Sequence, residues 1–368
     1  MTRIPALVIG GGPAGSIAAL RLARGGMPTV LVERCQERHD PVCGGFVSAD
    51  ALQLLHQAGV DTDALGGHRV ERMRFHVGTR SLETALPFPA IGLSRQRLDA
   101  VLIEAARSAG ATVEFGRTAR ALGGMRTVSF ADGETRAADA IFLATGKLNL
   151  RGADRPGEAA FGTAKVGLRR TLKPDRDSAT ALAGAIELHL FADGYAGLVL
   201  QEGGHLNLCL SVAAQRLRDA GGSPDELLAA VFEEAPLLGE RLTGATPVSG
   251  WRSIARIPYG WRARHTAPGI FRVGDQAAVI ASLAGDGIAI AVASATAASN
   301  ALLRDGPEAA PAYQREFARR ARRPLAFAEI LRAVAETPAW ARPVARLVHM
   351  RPTMLAWGAH ATRIATAA

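Results

Sequence analysis

Gly10-Gly11-Gly12-Pro13-Ala14-Gly15 places three glycines in the spacing G-x-G-x-x-G, directly after a short apolar run. Each glycine has a separate job in holding a pyrophosphate. Gly10 permits a tight turn, Gly12 lets the backbone approach the phosphates, and Gly15 lets a helix pack close to a strand. The amides that open the helix then face the phosphates with partial positive charge. Glu33 follows Gly15 by 18 residues, near the ~20 at which a carboxylate accepts from ribose hydroxyls. The turn residues Pro13 and Ala14, and Arg34 beside Glu33, join this group as candidate cofactor contacts. The chemistry expected is dinucleotide binding.

The flanking elements fit that chemistry. Residues 5–9 (PALVI) form a buried strand, a helix runs from about Ser16 to Arg24, and Gly25-Gly26 stops it. Thr29-Val30-Leu31-Val32 is the second strand, so the order is strand, helix, strand. Ser48, Ser94 and Ser223 each precede a helical pattern as caps, the last with Pro224 at the first position and Glu226 three residues on. Asp132-Gly133 marks a hairpin between Thr127 and Arg136, which leads into the continuous apolar strand Ala140 to Ala144.

Composition narrows the class. A chain of 368 residues with 48% hydrophobic and 21% charged residues is globular, not disordered. Its net charge is +9, but only Lys147, Lys165 and Lys173 are lysines and the other 40 basic residues are arginines. With so many alanines, that bias points to a GC-rich coding sequence as much as to a basic surface. No basic run is interleaved with aromatics, so nucleic acid is not expected as a partner. Cys35, Cys43 and Cys209 contain no C-x-x-C pair, as expected of a reduced, cytoplasmic protein. The first apolar stretch runs into glycines and is no signal sequence. No run of about 18 apolar residues stands out, so no transmembrane helix is expected.

The far end of the chain points to the kind of dinucleotide. Gly274-Asp275 closes a strand, and Gly285-Asp286-Gly287-Ile288 opens a helix of small residues. This resembles the second flavin signature of the FAD-dependent superfamily that includes aromatic hydroxylases, geranylgeranyl reductases and flavin halogenases. The resemblance implies that Asp275 binds the ribityl chain and that amides from Gly285 to Ile288 face the flavin ring. A helix N-terminus there would stabilise negative charge on reduced flavin. Ser94 to Asp99 resembles the segment from which one polar side chain, here Arg95, reaches the cofactor, with Arg97 as a neighbour or a partner of Asp99. Cys43-Gly44-Gly45 resembles the turn passing the flavin ring in the reductase and halogenase branches, and Gly146 ends the strand beside the cofactor. The sequence departs from the hydroxylase pattern at Thr145-Gly146-Lys147, where Asp-Gly is usual. Ala278 and Ala281 or Ser282 replace a histidine and a proline, and Trp251 to Pro258 (WRSIARIP) does not match the halogenase W-x-W-x-I-P.

By resemblance, the fold class is α/β. A Rossmann-like FAD-binding domain (1–67, 93–160 and 263–305) is interleaved with an antiparallel substrate sheet (68–92 and 161–262), and C-terminal helices cover 306–368. Alternation in Ile186 to Leu190 and His205 to Leu210 fits strands with one face buried. His189, Tyr195, His205 and Asn207 are candidates to orient substrate, with Cys43, His189 and Tyr195 as the only catalytic candidates. No His, Cys or Asp cluster has metal spacing, so no metal is expected. The function implied is a single-component monooxygenase that hydroxylates an aromatic or polyketide-like molecule in bacterial secondary metabolism, with FAD as cofactor and NAD(P)H as transient reductant. The rival is a reductase or dehydrogenase of C=C bonds, and a third reading is a flavin-binding protein without turnover. The substrate expected is a small hydrophobic or aromatic molecule, and the chain a monomer or homodimer. In the tail, arginines 319, 320, 322 and 323 mix with Leu325, Ile330, Trp340, Leu347, Met354 and Trp357. This amphipathic stretch either packs across the substrate domain or rests on an anionic membrane.

Overall fold

The computed structural model describes residues 3–36, 39–161, 165–351, 358 and 361–364. Met354 and Trp357 lie outside the described residues. In chain order the first part runs β1 (Ile4–Ile9), α1 (Pro13–Arg24), β2 (Thr29–Val32), β3 (Phe46–Val47), α2 (Ala49–Gln57), β4 (His68–Val77) and β5 (Arg80–Gly92). It continues with α3 (Arg95–Ser108), β6 (Thr112–Glu114), β7 (Ala119–Gly123), β8 (Thr127–Phe130), β9 (Thr135–Leu143), β10 (Lys165–Lys173) and α4 (Arg176–Leu182). Next come β11 (Gly184–Phe191), β12 (Gly194–Leu200), β13 (Leu206–Ala213), α5 (Ala214–Asp219), α6 (Pro224–Glu234) and α7 (Pro236–Leu242). The last elements are β14 (Thr246–Pro247), β15 (Arg252–Ala255), β16 (Ile270–Arg272), α8 (Gly287–Asp305), α9 (Ala310–Ala335) and α10 (Pro338–Met350).

Two sheets organise these elements. The first has the order β6-β2-β1-β9-β8-β7, with β16 on the other edge of β9. Strand β1 is apolar throughout because it pairs in parallel on both sides, with β2 and with β9, while helices α1, α3 and α8 pack together on one face. Strand β9 is longer than the apolar run read from sequence. Its start pairs antiparallel with β8 through the Asp132-Gly133 turn, and its end pairs in parallel with β1. Helix α1 starts at Pro13, three residues earlier than expected, because proline fits the first helical position.

The second sheet has nine strands, in the order β14-β10-β13-β12-β11-β4-β5-β3 with β15 also on β10. It is not wholly antiparallel, since β11 pairs in parallel with β4. The short β3 also joins it, within the stretch assigned from sequence to the FAD-binding unit. Register sets two unlike faces. Ile186 and Leu188 on β11 share a face with Tyr195 and Gly197 on β12 and with Cys209 and Ser211 on β13. The opposite face presents Leu198, Leu208 and Leu210, which pack under Leu227 and Val231 of α6 and Leu238 of α7.

Helix α8 bears on the expectation of no transmembrane helix. It is long and apolar enough to cross a membrane by length and composition, yet it is mostly buried in the protein core. Its small residues let it lie against α1 and α2.

Candidate active site

One cleft of about 820 Å³ runs from the Gly10–Ala14 turn, past Glu33 and Arg34, to Asp275 and the Gly285–Ile288 loop. Beyond that loop it opens under the first-described face of the large sheet, where Met73, Ile186, Leu188 and Tyr195 line it. An elongated dinucleotide fits the first part and a small apolar molecule the second.

The chain's own polar groups fit FAD. Helix α1 has no side-chain cap and no acidic residue in its first turn, so the amides of Ala14 and Gly15 have no intrahelical acceptor. Glu33 is fixed at the end of β2 by the Gly11 amide at 2.7 Å and the Cys35 amide at 3.0 Å. The second helix N-terminus, that of α8, also lacks a side-chain cap, and Gly285 precedes it with φ +72°. Two uncapped helix ends therefore open on one cleft, each offering amide donors to negative charge.

Arg95 lines the cleft and is the partner of Asp99, through Nε and a terminal nitrogen at 2.9 Å each. Arg97 instead donates to the carbonyls of Leu65 and Ala64. Cys43, Gly44 and Gly146 line the cleft too. Several sequence candidates do not. Gly15 sits beneath Gly10, where a side chain would overlap the Gly10 carbonyl. Gly274 (φ +60°) is pressed against Ala14, so its role is close packing of α1. Gly45 (φ +68°) faces Gln201 and Asn207. Asp286 turns its carboxyl away from the cleft, where it accepts from the Thr362 hydroxyl at 3.0 Å. His189 lies on the opposite face of the sheet, fully buried, and is no candidate for catalysis in this cleft.

His205 is exposed. Asn207 holds the cofactor-side turn, not substrate, donating to the carbonyls of Cys43 (3.2 Å) and Gly44 (2.8 Å). Its own oxygen accepts from buried Arg169 at 2.6 Å, and Arg169 pairs with Asp40. Of the four substrate-side candidates, only Tyr195 faces the chamber. Its hydroxyl meets Ser282, which also bonds Tyr259 at 2.7 Å. Burial raises the pKa of both phenols, so both stay protonated at neutral pH. Burial likewise pushes the Cys209 thiol up to about 12, which makes it a packing group.

Lys147 is a site residue that sequence reasoning passed over. Its ammonium lies 3.1 Å from Asp275, inside the cleft. Burial works against its charge, and Asp275 and Tyr259 outweigh that and raise its pKa. Arg155 fixes both partners by donating to the carbonyls of Lys147 (3.1 Å) and Asp275 (3.3 Å), and its guanidinium stacks on Trp261. The signal was available, since Lys147 is one of three lysines and directly follows Thr145-Gly146, where the sequence departs from the hydroxylase pattern.

Three buried groups form a cluster that spacing did not foretell. His76, Glu187 and His189 bring ligand atoms within 4.8 Å of one another, close enough for a cation. Two guanidinium groups hold Glu187, however, with Arg74 at 2.9 Å and Arg241 at 2.9 and 3.1 Å. A divalent metal there would meet two fixed positive charges, so the cluster reads as an ion-pair network. Burial opposes the Glu187 charge, but hydrogen bonds from His189, His76 and Arg241 hold its carboxyl well below the usual range. Burial pulls His189 down to about 4 against the attraction of Glu187.

Asp286 titrates in the opposite sense, because burial raises it to about 6 against hydrogen bonds from Thr362 and Ser48. Its proton is held by the folded state between about pH 4 and 6, so its contribution to stability falls as pH rises through that window. Neutral His189 does the reverse, adding stability as pH rises from about 4 to 6.5. The two offset each other in the wild type. Asp286→Asn is expected to match wild type in urea midpoint near pH 4. By pH 7.5 it should be the more stable by on the order of 2–3 kcal/mol, the free energy of ionising a carboxyl that is held at about 6 instead of about 4. Equal midpoints at both pH values would exclude a buried proton on Asp286.

The fold and cleft define a Rossmann-type dinucleotide-binding protein with a roofed chamber beside the cofactor strip. Residues 3–135 match the family model described as FAD binding domain. Chloroplastic geranylgeranyl diphosphate reductase from Oryza sativa is 37% identical over 119 residues, 31% of this chain and 25% of that protein. The match thus spans about a quarter of the plant reductase. Menaquinone reductase from Mycolicibacterium smegmatis is 26% identical over 310 residues, 78% of this chain and 73% of that protein. Among solved structures, the flavin-dependent brominase Bmp2 superposes with a TM-score of 0.77 at 14% identity, covering 98% of this chain and 95% of that one. Pseudomonas aeruginosa PqsL, solved with 2-aminobenzoylacetate, gives 0.71 at 18% identity, covering 92% and 98%. Residues 3–135 thus carry an FAD-binding domain, and over nearly its whole length the chain shares the fold of these flavin-dependent enzymes.

Proposed function

We propose that this chain is a single-component flavin monooxygenase that hydroxylates an aromatic molecule with an apolar body. The observation that carries the reading is one continuous cleft joining the cofactor strip to an apolar chamber whose polar lining includes Tyr195, Ser282 and Tyr259. Bound FAD would supply the redox chemistry, passing two electrons from NAD(P)H to molecular oxygen. The overall change is substrate C–H, O2, NAD(P)H and a proton giving substrate C–OH, water and NAD(P)+. Protonated Tyr195 and Tyr259 orient a phenolic or carbonyl oxygen by hydrogen bonding, and Leu188 and Ile186 exclude water from the reacting carbon. Lys147 and Asp275, fixed by Arg155, hold the ribityl and phosphate side of the cofactor. PqsL, described in one structure as a probable FAD-dependent monooxygenase, lends support through its fold. Three free cysteines favour a reducing compartment, and we place the protein in the cytoplasm.

A second reading, reduction of a C=C bond in an isoprenoid or quinone, is favoured by the similarity to menaquinone reductase over 78% of the chain. Here NAD(P)H and a proton add two hydrogens to the substrate, without oxygen. The test supplies NAD(P)H, isotopically labelled oxygen and a panel of phenolic lipids and isoprenoid quinones to the flavin-loaded protein. Monooxygenation puts one labelled oxygen atom into the product. Gain of two hydrogens under anaerobic conditions would instead establish the reductase.

A further inference from the structure

We infer that the corner formed by α9 and α10 docks on an anionic lipid bilayer and passes an apolar substrate from it into the flavin cleft. The delivery part rests on the function proposed above, whereas the docking stands by itself. Ten large apolar side chains are exposed among the described residues, and Ile330, Trp340, Leu347 and Met350 place four of them within 21 consecutive positions. Such clustering is unlike the scattered exposure of an ordinary soluble surface.

The same surface is basic. Arg315, Arg319, Arg322, Arg323 and Ile330 are exposed at helical spacing along one stripe of α9, and Trp340 is exposed in the first turn of α10, two residues after the break at Pro338. Arg322 and Arg323 make no ion pair among the described residues, and Arg319 has only its helix neighbour Glu316. Arg262 and Arg264 add to the group. Burial lowers the Arg262 pKa, and the nearby charges of Arg264 and Arg322 lower it further. Clustered arginines beside exposed tryptophan and aliphatic side chains match a surface of anionic headgroups over acyl chains. A two-fold contact between copies would bring this arginine stripe toward its own image.

The underside of the corner links docking to the site. Ala335 and Ala341 share one buried cluster with Leu188, Tyr195 and Leu283, three side chains that line the chamber, so the end of α9 and the start of α10 back that wall from behind. That placement favours substrates with long hydrocarbon parts.

The test is co-sedimentation of the flavin-loaded full chain with vesicles of phosphatidylcholine alone or mixed with phosphatidylglycerol. Binding is expected to the mixed vesicles only, and to weaken with salt. Combining Arg319→Glu, Arg322→Glu and Arg323→Glu should lower partitioning on the order of 100-fold or more. Trp340→Ser should lower it roughly tenfold. Both variants should keep the wild-type flavin content, which separates lost docking from lost fold. No sedimentation with mixed vesicles at low salt, or binding indifferent to both variants, would overturn the inference. A concentration-dependent dimer abolished by the triple variant would assign the face to a second copy instead. Vesicle binding without any turnover would leave docking intact and sink the proposed function.

Discussion

Replacing Gly15 with alanine is expected to weaken FAD binding by at least 100-fold, on the order of two lost charge-assisted hydrogen bonds at about 1.5–3 kcal/mol each. The new methyl would overlap the carbonyl oxygen of Gly10 and come within 3.2 Å of the Ala144 side chain. Neither neighbour yields easily. Gly10 is held at φ +110° with its own Cβ direction blocked by the Ala144 carbonyl, and its amide donates to Val32 at 2.8 Å. The strain is relieved only by moving α1 off the sheet, which withdraws the amides of Ala14 and Gly15 from the phosphates. Gly250→Ala is the control, since no atom lies within 4 Å of its would-be Cβ and its φ is ordinary. Titration of the flavin-free proteins with FAD, followed by quenching of flavin fluorescence, reads the difference. Wild-type affinity in the Gly15 variant would mean that the cofactor does not rest on this helix end.

The same close contact explains why the first unit of the fold was legible in the sequence. The strand, the glycine turn, the helix and Glu33 are neighbours along the chain, so local rules of turn and cap chemistry suffice to place them. Ser48, Ser94 and Ser223 each accept from an amide three residues on, as their positions implied. The substrate sheet was different. Alternation of apolar and polar residues shows that a strand has two faces, but not what covers each one. His189 alternates with Leu188 and Leu190, which reads as a polar face over a cofactor. In the fold that face is covered by α6 and α7, and the chamber takes the leucine side. Ser282 and Tyr259 lie in irregular segments with no period, and they meet Tyr195 only through contacts 87 and 23 residues long in sequence. Lys147 and Asp275 are 128 residues apart. Such pairs are set by packing of distant elements.

Glu187→Ala is expected to cost about 3–5 kcal/mol of stability, the usual loss when one partner of a buried ion pair is removed. Glu187 is fully buried, and its two oxygens collect Arg74, Arg241 and His189, with His76 stacked on His189 at a centroid distance of 4.4 Å. These partners come from β4, β11 and α7, so one carboxylate joins the hairpin edge, the sheet centre and the helical cover. Without it, two guanidinium groups face each other across a site that water reaches poorly. Glu187→Gln keeps the shape and one acceptor but not the charge, and should fall between the variant and wild type. The measurement is the urea midpoint of the flavin-loaded proteins at pH 7.5. FAD affinity should change little, because the cluster lies on the sheet face away from the cleft. A glutamate that serves only as a metal ligand predicts otherwise: metal-free wild type would then be as unstable as the variant. If chelation leaves the wild type unchanged while Glu187→Ala falls, the arginines are its working partners, and the second sheet is held on its helices by charge as well as by leucine packing.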